Sequence, residues 1–139
     1  MRNSLFLFTL FLLTVCGQSQ NLVGYTSLEI KDYMKKNNRD MTLENVVNDM
    51  YSYLKYTDVN DTQTLLFFLN ADSVCNGISL VCDRATRNEK IREFNSGYLI
   101  IAENKWIDTL GRRRSIIRLD DNPWSSHFTI EPEKKDGSN

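Results

Sequence analysis

The chain has 139 residues, with 17 lysines and arginines against 18 aspartates and glutamates, for a formal net charge of −1. This length is typical of a single domain, and the near-neutral charge argues against a strongly basic nucleic-acid-binding protein. With 41% hydrophobic and 25% charged residues, the composition is that of a globular domain. One histidine and three scattered cysteines do not make a zinc cluster.

Residues 1–19 have the pattern of a secretory signal peptide. Arg2 supplies a positive charge, and an uncharged apolar run extends from Leu5 to Val15. The run is too short for a bilayer, which takes about 20 residues, but it matches the apolar region of a signal peptide. Small residues precede a cleavage point before Gln20. We therefore expect an exported protein, periplasmic or extracellular, without a membrane span.

Cys16 supports an alternative interpretation of this leader. Residues 13–16 resemble a bacterial lipoprotein cleavage box, in which the cysteine becomes lipid-modified. Such boxes place a small residue before the cysteine, whereas Val15 is large. A lipid on Cys16 would anchor the protein to the cell envelope. Cleavage before Gln20 fits the sequence better, and lipidation is the alternative.

If Cys16 leaves with the leader, Cys75 and Cys82 remain. Two cysteines in an exported chain can form a disulfide, but a bridge requires Cα atoms within about 7 Å. Residues at this spacing lie about 10 Å apart in a helix and further apart in a strand. We therefore expect two buried free thiols, with a disulfide as the alternative.

Two helices are marked by capping boxes. Thr26 and Glu29 form the first box, and the helix that follows carries Ile30, Tyr33 and Met34 on one face. Thr86 and Glu89 form a second box, which opens a short helix.

A further helix is predicted between these two, capped by Thr42. Its apolar residues have the spacing of a single buried helical stripe. They are Leu43, Val46, Val47, Met50 and Leu54. The sequence marks this helix more clearly than any other element.

The strands show two kinds of pattern. Residues 65–69 are apolar at every position, which predicts a central strand buried on both faces. Ile78, Leu80 and Cys82 alternate with more polar neighbours, which predicts a strand with one core face. If the segment 71–83 were helical instead, the sheet would lose this strand.

The C-terminal part predicts a meander of strands. Residues 98–107 are expected to form one long, interrupted strand, followed by strands at 115–119 and 127–130. Short turns between consecutive strands make them antiparallel. Residues 132–139 contain no apolar side chain and are expected to form a disordered tail.

These elements predict one two-layer α+β domain over residues 20–131. The order is α-α-β-β-α-β-β-β, with a predominantly antiparallel sheet of four or five strands and helices on one face.

Three short segments resemble patterns in small exported proteins of Bacteroidetes-type bacteria. They are Leu66-Phe67-Phe68-Leu69-Asn70, Glu93-Phe94-Asn95 and Asn104-Lys105-Trp106-Ile107-Asp108. The likeness covers most of the mature chain. It implies export from a Gram-negative cell and assigns no activity and no catalytic residue.

Four aromatic residues are candidates for a binding face: Tyr53, Tyr56, Trp106 and Trp124. Exposed tyrosine and tryptophan favour contacts with partner proteins or sugars. No catalytic or metal-binding pattern competes with this interpretation. We therefore expect a non-enzymatic binding protein with a protein or glycan partner, no nucleic acid and no cofactor.

The alternative is a small hydrolase in the C-terminal meander. His127 is a candidate general base near neutral pH, and Asp120 and Asp121 could supply carboxylates. Sequence neighbours usually point to opposite sides, so we assign no catalytic role to the aspartates. The basic run Arg112–Arg114 is expected to be a solvated turn.

Overall fold

The computed structural model describes residues 21–44 and 52–137. These ranges contain two α-helices, α1 (Ser27–Asn37) and α2 (Arg87–Gly97), with a 3-10 turn at Arg84–Thr86. They also contain eight strands: β1 (Met41–Glu44), β2 (Tyr53–Asp58), β3 (Gln63–Leu69), β4 (Cys75–Asp83), β5 (Leu99–Ala102), β6 (Lys105–Asp108), β7 (Ser115–Asp121) and β8 (Ser125–Pro132).

All eight strands form one antiparallel sheet, in the order β1-β2-β3-β4-β8-β7-β6-β5. Each helix is followed by four antiparallel strands, so the described residues form two halves, each with the order α-β-β-β-β. The last strand of each half, β4 and β8, pair at the centre of the sheet. The first strands of the two halves, β1 and β5, form its two edges.

The expected sheet of four or five strands is therefore wrong, because eight strands form the sheet. Two of the additional strands come from the helix predicted at Thr42. Thr42 lies in β1, and Leu43 pairs with Tyr56 of β2. Leu54, the last residue of the predicted helical stripe, also lies in β2. Residues 46, 47 and 50 of that stripe lie outside the described residues.

A further strand comes from a turn inside the predicted long strand 98–107. Glu103 and Asn104 form this turn, and Asn104 has a positive φ of 55°. Asparagine tolerates this left-handed conformation better than most residues. The turn folds the segment into the hairpin of β5 and β6.

The two helices predicted from capping boxes lie where the sequence predicts them. At α1, the Thr26 hydroxyl accepts a hydrogen bond from the Glu29 amide, and the Glu29 carboxylate accepts one from the Thr26 amide. At α2, Thr86 makes no such cap, because its hydroxyl donates to the Asp83 carbonyl in the preceding 3-10 turn. The second capping box is therefore absent although its helix is present.

The core lies between the two helices and one face of the sheet. Ile30 and Met34 of α1 and Phe94 of α2 belong to the same buried cluster as the inward side chains of the strands. At its centre the rings of Phe94 and Phe128 meet edge to face, with centroids 4.7 Å apart. Aromatic pairs favour this arrangement. Both helices therefore cover the same face of the sheet.

Strand β3 is buried on one face only. Leu65 and Phe67 are 8% and 1% exposed, whereas Phe68 is 37% exposed. The prediction that residues 65–69 are buried on both faces is therefore wrong. The alternation predicted for Ile78, Leu80 and Cys82 of β4 is confirmed, since all three are buried.

A buried polar cluster fastens the segment before α1 to the turn between β6 and β7. The Asn21 side-chain amide donates to Asp108 Oδ2 over 2.9 Å. The other Asp108 oxygen accepts from the amides of Leu110 and Gly111. A Cβ atom added at Gly111 would collide with the Asp108 carboxylate, so this turn requires glycine.

None of the helices in the described ranges is long and apolar enough to cross a membrane. The predicted leader of residues 1–19, with Cys16, lies outside those ranges. At the other end, β8 continues through Pro132. The amide of Glu133 then donates to the Arg114 carbonyl over 2.9 Å, so the predicted tail begins with ordered contacts.

Candidate functional site

Within residues 21–44 and 52–137, no helix lies on the second face of the sheet. Side chains alternate along each strand, so the residues beside the inward-pointing core positions point to this opposite face. We call it the open face. Its residues are half-buried or exposed in the central strands, and they include Tyr53, Lys55, Thr57, Thr64, Leu66, Phe68, Ser79, Val81, His127, Thr129, Ile116, Arg118, Asp120 and Leu99.

Two apolar patches lie on the open face. In the first patch, Tyr53 and Phe68 are opposite each other on β2 and β3, with ring centroids 6.3 Å apart. In the second patch, Leu99, Ile107 and Ile116 are cross-strand neighbours on β5, β6 and β7. Such pairs stabilise a sheet, and Phe68 and Leu99, which are 37% and 60% exposed, leave apolar surface towards solvent. Ile107 is 6% exposed and contributes little to that surface. The patches are separated by the central strands β4 and β8.

The charges of the open face are mostly paired. Lys55 Nζ lies 2.7 Å from a Glu44 carboxylate oxygen, and a hydrogen bond from Lys55 lowers the pKa of Glu44. Arg118 and Glu131 lie 3.8 Å apart on β7 and β8. Between these pairs the face is lined by hydroxyl side chains such as Thr129. The open face therefore combines apolar contact area with neutral hydrogen-bonding groups.

The four aromatic candidates do not form one surface. Tyr56 and Trp106 are 4% and 2% exposed and belong to the core. The Trp106 indole N–H donates to Asn95 Oδ1 over 2.8 Å, which satisfies its only polar atom. Tyr53 lies on the open face, and Trp124 is 86% exposed in the turn between β7 and β8. Only Tyr53 therefore contributes to the open face.

His127 lies on the open face within a small polar cluster. Its Nε2 is 3.0 Å from the Ser125 hydroxyl and 3.5 Å from the Asn122 side-chain amide. Asp120 is its cross-strand neighbour, but the described contacts include no hydrogen bond between the two. The Ser125 hydroxyl also lies 3.2 Å from Asn122 Oδ1. The cluster therefore brings the Ser125 hydroxyl within hydrogen-bonding distance of the His127 imidazole. Among the described contacts, no carboxylate orients the imidazole ring.

Asp121 points away from this cluster. Its carboxylate accepts hydrogen bonds from Arg87 Nε at 2.8 Å and from the Ser126 hydroxyl at 2.7 Å. Partial burial raises the pKa of Asp121, but the hydrogen bonds from Ser126 and Arg87 outweigh it and lower the pKa below its usual value. Asp121 therefore links β7 to the start of α2, and the two adjacent aspartates do not share a site.

The basic run lies in the turn between β6 and β7, where intramolecular contacts occupy two of its arginines. The Arg112 guanidinium lies 3.8 Å above the Tyr25 ring and 2.8 Å from a Glu29 oxygen. The hydrogen bond from Arg112 is the main cause that lowers the pKa of Glu29 to about 2. Arg114 lies 2.5 Å from a Glu133 oxygen. This turn is a poor phosphate-binding surface because two of its three arginines are already paired with glutamates.

Cys75 and Cys82 are both free and buried, each about 1% exposed. Burial raises the pKa of both thiols. A raised pKa disfavours the reactive thiolate. These cysteines act as small apolar core residues, and within the described residues no group of three or more metal-ligating side chains occurs.

Sequence reasoning missed the open face because it treated residues 65–69 as doubly buried. A usable signal was present in β2, where the polar residues Lys55 and Thr57 alternate with Leu54 and Tyr56. No family model matches this chain, and neither a curated protein nor a solved structure matches it.

Proposed function

We propose that the protein is a small, exported, non-catalytic binding module that holds a partner protein against the open face. The observation that carries this proposal is that both described helices lie on the same face of the eight-stranded sheet and leave the other face uncovered by any described helix. A two-layer domain buries its sheet on one side only, so the second side is available for contacts. None of the residues in the two apolar patches belongs to the buried core cluster.

The chemistry of the open face favours a protein partner. Protein interfaces combine apolar and aromatic contacts with a polar rim and neutral hydrogen bonds. The Tyr53 and Phe68 pair supplies the aromatic contacts, and the central Thr129 and Ser79 positions supply hydroxyls. Nucleic acid would require several unpaired cations. On this face Lys55 and Arg118 are paired with Glu44 and Glu131, and Lys105 is the one described cation without an ion pair.

The proposal can be tested by affinity capture from a cell-envelope extract with a matched pair of variants. Phe68→Lys places a charge in the first apolar patch, and Leu28→Lys places the same charge on α1, where Leu28 is 72% exposed. We expect Leu28→Lys to capture the same partner as the natural protein and Phe68→Lys to lose it. Equal capture by both variants, or no partner in repeated extracts, would contradict the proposal. Capture of a glycan in place of a protein would contradict the choice of partner.

A small hydrolase centred on His127 is the second candidate function. The observation that favours it is the 3.0 Å contact between the Ser125 hydroxyl and His127 Nε2. In such a pair the imidazole accepts the serine proton while the hydroxyl oxygen attacks an ester carbonyl. The pair lacks an orienting hydrogen bond from Asp120, which ranks this candidate below the binding module.

An ester-hydrolysis assay separates the two candidates. A hydrolase would lose activity on short acyl esters in both Ser125→Ala and His127→Ala, whereas Thr64→Ala, a change on the same face, would retain it. The binding module predicts no turnover above background in the natural protein. Turnover that depends on both residues would replace the binding proposal with the enzymatic one.

Export is part of the proposal and has its own test. The predicted leader and the resemblance to small exported bacterial proteins both support it. The intact mass of the protein isolated from its cells should correspond to a chain that begins at Gln20. A mass that begins at Cys16 with added lipid would indicate envelope anchoring, and a mass that retains residues 1–19 would contradict export.

A further inference from the structure

The β5 edge of the sheet is exposed and apolar. Leu99, Ile100 and Ile101 are 60%, 61% and 47% exposed, and no described strand pairs with the outer side of β5. The outer backbone groups of an edge strand are free to pair with another chain. Proteins usually prevent this with charged side chains or proline on the edge, and β5 contains neither.

The opposite edge of the sheet differs from β5 in this respect. Strand β1 carries Glu44, whose ion pair with Lys55 spans β1 and β2. A charged side chain on an edge strand discourages pairing with an apolar strand. On β5 the remaining protective feature is a bulge at Ile101, where the register with β6 shifts. The two edges are therefore not equivalent, and β5 is the one suited to association.

We propose that β5 pairs with β5 of a second copy of this chain, antiparallel and about a two-fold axis perpendicular to the sheet. Such an axis keeps the helices of both copies on the same side. Residues that lie opposite each other in an antiparallel ladder point to the same side of the sheet. Because side chains alternate along a strand, the axis must therefore lie between a residue and the same residue of the second copy.

Ile100 is the residue that fits this centre best. Centring the axis there places Ile100 opposite Ile100 of the second copy and Leu99 opposite Ile101 of the second copy. No like charges face each other, and the next polar residue, Glu103, falls opposite Gly97. Because the pairing uses the same edge of both copies, it closes on itself and stops at two chains.

The geometry also sets the strength of the dimer. The ladder is limited to the four residues of β5, so the buried area lies in the class of small interfaces, below about 1,200 Å². We expect an association that depends on protein concentration. The pairing involves the β5 edge and leaves the first apolar patch and the central strands of the open face free. It therefore does not rest on the proposed function, and either can fail alone.

Sedimentation velocity over roughly a hundredfold range of concentration tests the dimer. The natural protein should move from monomer to dimer and no further. Ile100→Lys should remain monomeric, because two lysines would then face each other across the axis. Leu110→Lys, at a residue 93% exposed in the turn between β6 and β7, should dimerise normally. A natural protein that stays monomeric or grows beyond a dimer would overturn the proposal, and so would an Ile100→Lys variant that dimerises as the natural protein does.

Cysteine cross-linking tests the register in a Cys16→Ser background. Ile100→Cys places two thiols on directly opposed residues, whose Cα atoms lie about 4.5–5.5 Å apart, within disulfide range. Leu99→Cys faces position 101 of the second copy, so its own two thiols lie too far apart. We expect mild oxidation to cross-link Ile100→Cys and not Leu99→Cys. The reverse result, or no cross-link in either variant, would overturn the pairing centred on Ile100.

Discussion

Two adjacent phenylalanines of β3 provide the most informative pair of substitutions. Phe67 is 1% exposed and Phe68 is 37% exposed, and they point to opposite faces of the sheet. Phe67→Ala and Phe68→Ala remove the same atoms from the same strand. Their effects on the free energy of unfolding therefore compare the two faces while the chemistry and the position in the strand stay constant.

The expected magnitudes follow from the surroundings of each ring. Phe67 packs edge-on against Tyr56, with centroids 5.9 Å apart, and borders an apolar cavity of about 20 Å³. Removal of its buried ring enlarges this cavity, which costs about 4 kcal/mol. Phe68 contacts Tyr53 and solvent, so its removal leaves no enclosed cavity and costs about 1–2 kcal/mol. The larger loss is a substantial part of the roughly 5–15 kcal/mol that a domain has in total.

Urea unfolding followed by circular dichroism measures both free energies. The account predicts that Phe67→Ala costs about 2–3 kcal/mol more than Phe68→Ala. Losses that agree within about 0.5 kcal/mol would refute the reasoning. That result would mean that the open face is covered in solution, as a strand buried on both sides requires.

Three further predictions concern the turns, the cysteines and pH. Gly111→Ala should destabilise the protein by about 1–3 kcal/mol in the same urea assay, because its Cβ meets the Asp108 carboxylate. Gly77→Ala should cost less, since the nearest atoms lie 3.8 Å from an added Cβ. Both buried cysteines should resist alkylation in the native protein and react after unfolding. Mass spectrometry that detects alkylated Cys75 or Cys82 in the folded protein would contradict their burial. The hydrogen bond from Arg112 lowers the pKa of Glu29 to about 2. Its contribution to stability is therefore fully present above a pH of about 4.5 and is lost as the pH falls towards 2. Carboxyl titration by NMR should give that low pKa and lose it in Arg112→Gln, and a Glu29 pKa near 4.5 in the natural protein would show that the ion pair is absent.

Local signals in the sequence predicted several elements correctly. The capping box at Thr26 and the alternation through Ile78 and Leu80 are properties of a few neighbouring residues, and both survive in the fold. The helix predicted from Thr42 is wrong at both of its described ends, which are strands, because its pattern was also local. Leu43 of β1 pairs with Tyr56 of the neighbouring strand β2. The spacing of apolar residues along the chain does not reveal this cross-strand partner.

The candidate site was less accessible to sequence reasoning than the fold. Trp106 is buried because α2 supplies Asn95 as the hydrogen-bond partner of its indole, a contact that depends on tertiary packing. The exposure of Phe68 depends on which face of the sheet the helices cover. All four aromatic residues were predicted to be exposed because of their residue type. Trp124 is exposed and Tyr53 is half-buried, whereas Trp106 is buried. Which residues are exposed is therefore decided by the face of the sheet that the helices cover, and the number of aromatic residues in the sequence does not predict it.

The most direct test of the central claim is photo-cross-linking from the open face in intact cells. A photoreactive residue in place of Thr129 lies at the centre of that face, and one in place of Arg92 lies on the exposed side of α2. The account predicts one discrete cross-linked protein from position 129 and none from position 92. Equal cross-linking from both positions, or none from position 129, would contradict the claim that the open face is the binding surface.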